Sequence, residues 1–156
     1  MFQKSIKNNN FIIYMSELEI DKLLGALENE TNASIMKLTN AKIKKFKNDS
    51  LQRLQIRGEK LKIMHKKLKE YRYVGDLTGL QYGSYIRWIP LKDPANIYLT
   101  NGGIVIDIDI LKNGIHIRVK NNRNRIFQIK FDEVTIFQKL TLQEKVILSV
   151  LDHLDK

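Results

Sequence analysis

Two aspartates, Asp107 and Asp109, are the residues whose type and spacing most resemble a chemical site. They lie in the stretch DIDILKNGIHIRVK, which ends at Lys120. Residues two apart on a β-strand point to the same face, so the two carboxylates could together hold a divalent cation or act in acid–base catalysis. A cation site would also need carboxylates from other elements and a further ligand. What faces the pair on the neighbouring strand therefore decides between a chemical and a structural role.

A β-hairpin predicted from the same stretch gives these carboxylates a structural role. The Asn113-Gly114 dipeptide is a preferred sequence for a two-residue type I′ loop. Such a loop places Asp109 opposite Arg118 and Asp107 opposite Lys120, and each such pair contributes roughly 0.2–1 kcal/mol. The other face, which we expect to be buried, carries Ile108, Ile110, Ile117 and Val119. We therefore interpret the aspartates as the solvated face of a strand, with a Mg²⁺ or Ca²⁺ site as the alternative.

The other residues capable of chemistry do not form a recognisable site. The sequence has no cysteine, which excludes a thiolate metal site and a thiol nucleophile. His65, His116 and His153 fall on separate predicted elements and not at ligand spacing. The stretch from Gly75 to Gly79 lacks the Gly-Lys-Ser/Thr ending of a phosphate loop. We predict a protein that is not an enzyme and binds no metal or cofactor; the weakest alternative is a hydrolase with an unrecognised site.

Positive charge is concentrated in one segment of the chain. The formal net charge is +10 over 156 residues, and residues 41–72 alone contain 12 Lys or Arg and 3 Asp or Glu, a net charge of +9. Residues 1–40 have a net charge of −1 and residues 73–156 a net charge of +2. A localised basic segment says more about a binding partner than a diffusely positive surface does. The alternative is a solvated helix in a lysine-rich protein.

The first predicted helix follows a polar leader. Ser16 and Glu19 form a capping box, in which each residue satisfies a backbone amide near the other. The apolar stripe behind this box predicts a helix from about Glu17 to Glu28. We expect residues 1–15 to be a flexible leader.

A longer helical pattern carries the basic segment. Its apolar positions recur at steps of three and four, with a seven-residue spacing between Leu54, Leu61 and Leu68. Gly58 or the Asn48-Asp49-Ser50 patch would break the pattern into two pieces. We predict that residues 16–74 form a basic helical hairpin or coiled coil, in which the short helix folds back on the long one or the long one pairs with a second copy.

The second half of the chain changes to β-branched and aromatic runs. The expected strands are Ser84–Ile89, Ile97–Thr100, Ile104–Leu111, Ile115–Lys120, Ile126–Phe131 and Val134–Lys139. Thr141 and Glu144 form a second capping box before a final amphipathic helix. We therefore predict an α+β protein in which residues 75–156 form a small antiparallel, SH3-like β-barrel closed by a C-terminal helix.

The leading functional hypothesis is an accessory or packaging protein that binds nucleic acid without being an enzyme. Lysines along a helix can contact successive phosphates, and the release of counterions then supplies much of the affinity. The predicted contacts are Lys42, Lys44, Lys45, Lys60, Lys62, Lys66, Lys67 and Lys69 on the helix and Arg118, Lys120, Arg123 and Arg125 on the hairpin and the loop after it. Base stacking on aromatic residues near the second group is an alternative contact, with candidates Tyr82, Tyr85, Trp88 and Tyr98.

The alternative hypothesis is a structural or adaptor protein. In it, Leu54, Leu61 and Leu68 drive oligomerisation and the β-module docks a protein partner. The expected partners are thus DNA or RNA, and a protein partner or a second copy of the chain, but no membrane. We expect a soluble, intracellular protein, because the apolar run at Phe11–Met15 is too short for a signal peptide or a membrane span.

Part of the sequence resembles small uncharacterised proteins of giant, nucleocytoplasmic large DNA viruses. The resembling segments are Tyr85-Ile-Arg-Trp-Ile89, Leu99-Thr-Asn-Gly-Gly-Ile-Val-Ile-Asp107, Arg125-Ile-Phe-Gln-Ile129 and Ile136-Phe-Gln-Lys-Leu-Thr141 with Gln143-Glu144. The resemblance covers the predicted barrel and not the helical half, and its motifs are turns, core strands and a helix cap. It implies a viral protein with a place in the virion or in the host cytoplasm, and it identifies no catalytic residue.

Overall fold

The computed structural model describes residues 17–28 and 35–155 and confirms the predicted α+β class. The predicted leader, residues 1–15, and Ser16 of the first capping box lie outside the described residues. The chain divides into two compact units, Met1–Ile43 with Leu140–Lys156, and Lys44–Lys139. Residues from near both ends of the described part of the chain therefore share one unit.

The first unit is helical. It contains helix α1 (Glu17–Glu28), a 3-10 turn at Ile35–Lys37, the first residues of α2 (Asn40–Arg53) and α4 (Leu142–Asp155). Helix α1 packs against α4, and residues 29–34 of the predicted helical hairpin lie outside the described residues. The core consists of Ala26, Ile35, Ile43, Ile147 and Leu148.

The capping box before α4 forms as predicted. The Thr141 amide donates to Glu144 Oε1 and the Glu144 amide donates to Thr141 Oγ1, each over 3.0 Å. Both contacts are local in sequence, so the presence of Thr and Glu three positions apart was sufficient to predict them.

The second unit begins with two short helices instead of one long one. Helix α2 ends at Arg53, and α3 runs over Gly58–Lys67. Between them, Gln55 adopts φ 60° and Gly58 adopts φ 63°, so the helix is interrupted near Gly58, one of the two predicted positions. The Asn48-Asp49-Ser50 patch lies inside α2.

The leucine seam of these helices packs against the sheet of the same unit. Leu68 is fully buried in a cluster with Leu51 and Phe137, and Leu54 and Leu61 pack against that cluster. This packing replaces the predicted coiled coil. Leu68 is buried within the unit, whereas Leu54 and Leu61 are only partly buried, and the oligomerisation role of the three leucines stays a prediction.

Six strands form one antiparallel sheet in the order β1-β6-β2-β3-β4-β5. The strands are β1 (Tyr71–Val74), β2 (Tyr85–Pro90), β3 (Gly103–Leu111), β4 (Gly114–Lys120), β5 (Ile126–Lys130) and β6 (Val134–Lys139). The predicted strand at Ile97–Thr100 does not form, although the Thr100 amide donates to the Trp88 carbonyl oxygen of β2 over 2.9 Å. The first strand, β1, arises from residues that the sequence pattern assigned to the end of the helical region.

The sheet is curled but is not closed into a barrel. The prediction of an SH3-like barrel is therefore wrong. Only the 3-10 turn Phe131–Glu133 joins β5, at one edge, to β6, four strand positions away. Four strand spacings across a flat sheet would be ~19 Å, whereas four residues of extended chain reach at most ~14 Å, so the sheet must curl. Closure would further require hydrogen bonds between the two edge strands, β1 and β5, and among the described strands β1 pairs with β6 alone and β5 with β4 alone.

The two faces of the sheet belong to two hydrophobic clusters. The inner face carries Ile86, Trp88 and Ile136 together with Ile117 and Val119. The outer face carries Tyr71, Ile89 and Phe137, which α2 and α3 cover with the cluster around Leu68. Trp88 is a core residue of the inner cluster and does not offer a ring for base stacking.

The hairpin between β3 and β4 has a different register from the predicted one. Lys112 and Asn113 form its loop, and Gly114 opens β4 with φ 126°. As a result Asp107 faces Arg118 and Asp109 faces His116, so the predicted pairs Asp109–Arg118 and Asp107–Lys120 are wrong.

A β-bulge between Val105 and Asp107 shifts the register of the hairpin by one residue at the end away from the loop. Because of the bulge, Val105 faces Val119 and Ile104 faces Lys120. Ile117 and Val119 are buried as predicted, whereas Ile110 is 73% exposed near the hairpin tip and does not belong to the core.

Candidate nucleic-acid interface

The predicted lysines of the second unit lie on the solvent side of α2 and α3. Helix α3 and its C-terminal turn bury Met64 and Leu68 toward the sheet. Residues on the opposite side of the helix therefore face solvent. The exposed lysines are Lys44, Lys45, Lys60, Lys62, Lys66, Lys67 and Lys69, and Lys42 is exposed in the first unit.

Two of these lysines have partners within the protein. Lys60 Nζ donates to the carbonyl oxygen of Ile97. Lys62 Nζ lies 3.6 Å from Glu59 Oε1 on the same helix, with both side chains about four-fifths exposed. Exposed ion pairs of this kind contribute at most about 1 kcal/mol, so a phosphate can compete for Lys62.

Lys47 belongs to the same basic segment but has a structural role. It is only 5% exposed, and its Nζ donates to the carbonyl oxygens of Leu68 over 2.8 Å and Tyr71 over 3.0 Å. Burial lowers the pKa of Lys47, and the nearby positive charge of Lys44 lowers it further. This ammonium group ties α2 to the turn between α3 and β1 and is not available to a phosphate.

His65 links the two helices. Its Nε2 lies 2.9 Å from Asn48 Oδ1 on α2. Burial lowers the pKa of His65, and the charges of Lys47 and Lys44 act in the same direction. The ring is therefore a neutral tether at neutral pH.

Arg118 and Lys120 are exposed on the outer face of β4. Arg118 pairs with Asp107 on β3, and the hydrogen bond from Arg118 holds the pKa of the Asp107 carboxyl below its usual range. The same hydrogen bond raises the pKa of Arg118. Asp107 Oδ1 also accepts a hydrogen bond from the Ile108 amide. Asp107 thus acts as the partner of a guanidinium group.

His116 and the aspartates do not assemble into a metal site. The Nδ1 of His116 lies 2.9 Å from Gln128 Nε2, and its Nε2 lies 3.1 Å from Asn113 Oδ1. Within residues 17–28 and 35–155, no three or more His, Asp or Glu side chains come together as potential metal ligands.

Arg123 and Arg125 lie on an ordered loop between β4 and β5. Asn121 Oδ1 accepts from the amides of Arg123 over 2.9 Å and Arg125 over 3.0 Å, and the Asn121 amide donates to the Arg125 carbonyl. Asn124 adopts φ 61°, which asparagine tolerates better than most residues. The loop backbone is fixed while both guanidinium side chains face solvent.

The helical lysines and the hairpin arginine lie on the same face of the sheet. Lys120 faces Ile104 on β3, and Ile104 in turn faces Tyr85 on β2. Tyr85 packs with the outer cluster that α2 and α3 cover. Since residues paired across antiparallel strands share a face, Arg118 and Lys120 continue this outer face beyond the helices.

A groove beside α2 contains residues that the sequence pattern did not single out. It has a volume of about 560 Å³ and is lined by Phe46, Asp49, Gln52, Arg53 and Tyr73. The Arg53 guanidinium lies over the Tyr73 ring, 5.5 Å from its centroid. A second cavity of about 360 Å³ also has Arg53 and Tyr73 in its wall.

The helical part of this groove could have been found from spacing. Phe46, Asp49 and Arg53 occupy positions i, i+3 and i+7 and therefore share one face of α2. Tyr73 could not have been found in this way, because it comes from β1, on a different element.

Comparisons with protein-family models, with curated proteins and with solved structures found no match. Among the residues that the structure describes, no helix combines the length and the apolar character needed to cross a membrane.

Proposed function

We propose that this protein binds nucleic acid through its phosphates, as a non-enzymatic accessory or packaging protein. The observation that carries the proposal is that α3 buries Met64 toward the sheet while Lys60, Lys62, Lys66 and Lys67 are all exposed. These exposed lysines supply the charge that the helix presents to a partner. A packaging role in a virus rests on the sequence resemblance alone.

The charge near this surface favours a polyanion. Seven exposed lysines lie between Lys44 and Lys69, and the acidic residues in the same stretch are Asp49 and Glu59. A protein that contacts six to ten phosphates loses about 10³- to 10⁵-fold in affinity between 50 and 200 mM salt. We expect a dependence of this order if most of the lysines reach phosphates.

Paired variants test whether the surface is specific. Lys66→Gln with Lys67→Gln removes two exposed positive charges from α3. Lys92→Gln with Lys112→Gln removes the same charge from exposed positions outside the helices. Fluorescence-anisotropy titrations with single-stranded and duplex DNA and RNA would give the affinity of each variant across a range of salt concentrations.

The helical pair should weaken binding and lower the slope of log affinity against log salt by about 2, because each lost phosphate contact contributes ~0.9 on duplex DNA. The control pair should change both quantities much less. Equal effects of the two pairs would refute a localised interface, and absence of binding at low salt would refute the proposal itself.

The adaptor hypothesis keeps one supporting observation. Edge strand β5 exposes Ile126, which is 58% accessible, and Phe127. An edge strand with exposed apolar side chains can add a strand from another chain. Two results together would favour this alternative. The protein would not bind nucleic acid, and it would capture a protein partner in a pull-down that the Phe127→Lys variant fails to capture.

A further inference from the structure

We propose that the groove beside α2 binds a nucleobase, so that the protein prefers single strands whose bases are unpaired. The inference rests on the proposed function and names the part of the nucleic acid that the groove recognises. Its basis is the combination of a stacked guanidinium, an exposed aromatic ring and a carboxylate in one groove.

The stacking surface is provided by Arg53 and Phe46. The Tyr73 ring, itself packed against Phe137 at 6.1 Å between centroids, positions the Arg53 guanidinium. Guanidinium groups and aromatic rings are the side chains on which unstacked bases stack. Phe46 is 43% exposed, so its ring is accessible from the groove without rearrangement of the core.

The polar groups of the groove suit the edge of a base. Asp49 accepts hydrogen bonds, and Gln52 both donates and accepts them. Nucleobases present donors and acceptors side by side on one edge. The groove volume of about 560 Å³ lies in the range of small-molecule sites. It is larger than the volume that a single aromatic ring requires.

The groove adjoins the basic surface. Lys45 precedes Asp49 by one helical turn and Gln52 by two, so it lies beside the groove on the same side of α2. A phosphate held by Lys45 would place its nucleotide beside Asp49, one helical turn away. An uncharged aromatic ligand would gain nothing from Lys45, and an acidic peptide would place carboxylates near Asp49.

Two oligonucleotides of equal phosphate number separate base binding from phosphate binding. One is a single-stranded DNA decamer, and the other is the same decamer with abasic sites throughout. We expect the unmodified protein to bind the base-containing strand at least about fivefold more tightly, which corresponds to ~1 kcal/mol for one stacked base.

Phe46→Ala should remove this preference and leave the affinity for the abasic strand unchanged. Arg53→Gln should also remove it, with a small loss on the abasic strand because a positive charge is lost. Phe127→Ala is the matched control, since Phe127 is a phenylalanine as exposed as Phe46 that does not line the groove. Its preference should equal that of the unmodified protein.

The outcomes distinguish the two proposals. Equal binding of both strands, or a preference that survives Phe46→Ala and Arg53→Gln, would overturn the base site while the phosphate contacts stand. No binding of either strand would overturn both. Displacement of the decamer by a nucleoside monophosphate at matched base concentration would assign the groove to free nucleotides and overturn its role in strand binding.

Discussion

Replacement of Lys47 by methionine should destabilise the second unit. Methionine keeps an unbranched stem of similar length but cannot donate to the carbonyl oxygens of Leu68 and Tyr71. Hydrogen bonds from a charged group contribute about 1.5–3 kcal/mol each. The Leu68 oxygen retains the hydrogen bond from the Tyr71 amide, and methionine also removes the cost of burying a charge.

The net loss in the free energy of unfolding should therefore be about 1–3 kcal/mol, below the sum of the two hydrogen bonds. Urea denaturation followed by the fluorescence of Trp88 measures it, because Trp88 is the single tryptophan and is buried in the second unit. Lys45→Met is the control: the same change at an exposed site should alter stability by less than about 0.5 kcal/mol.

The pH dependence gives a second measure of Lys47. Burial lowers its pKa in the folded protein below 10.5, so between the folded pKa and 10.5 the unfolded chain binds more protons. The contribution of Lys47 to stability should then rise with pH through that window. The raised pKa of Tyr71 acts in the opposite direction above pH 10 but cancels in the difference between the two proteins.

Equal stability of Lys47→Met and the unmodified protein at neutral pH would refute the structural role of the two hydrogen bonds. A difference that falls as the pH rises toward 10.5 would refute the assignment of a lowered pKa.

Further predictions concern backbone space and the Asp107 pair. Gly102→Ala should cost more than about 3 kcal/mol of stability in urea denaturation, because φ is 83° and the new Cβ would lie 1.9 Å from the Ile86 carbonyl oxygen. Gly83→Ala, at φ 78° but with nothing within 4 Å, should cost about 1–2 kcal/mol, and equal losses would contradict the steric explanation. The Asp107 carboxyl should titrate by NMR below pH 3.8, so its contribution to stability is present above that pH and lost as the pH falls through the folded pKa. Arg118→Gln should return the midpoint toward 3.8, and no change would refute the pairing.

The apolar spacing predicted which side of the helices is buried but not what covers it. Leu54, Leu61 and Leu68 all lie in or against one buried cluster, although Leu54 and Leu68 lie just beyond the ends of α2 and α3. Whether such a stripe meets a second copy or a sheet depends on elements elsewhere in the sequence. The sheet that covers Leu68 includes β1, which the pattern had assigned to the helical region.

Local features were predicted better than features that join distant residues. The Thr141–Glu144 capping box depends on three residues of spacing and was confirmed. Lys47 could not be distinguished from the lysines around it, because its burial depends on the turn after α3. Likewise, the contact between Arg53 and Tyr73 depends on how β1 is placed beside α2.

The hairpin shows why a preferred dipeptide does not fix a register. Asn113-Gly114 marked a tight turn correctly, but the positive φ of Gly114 is used just after the loop. A one-residue shift of the loop moved the partner of each aspartate by two residues, and the bulge between Val105 and Asp107 then placed Val105 opposite Val119.

The position of β6 has a consequence for synthesis on the ribosome. This strand lies between β1 and β2 although it is the last of the six to be translated. A nascent chain that ends before Val134 lacks the strand that pairs with both β1 and β2, so the facing edges of these two strands have no hydrogen-bonded neighbour. The second unit therefore becomes able to fold only after Lys139 leaves the exit tunnel, and until then its earlier strands are exposed to chaperones and to aggregation.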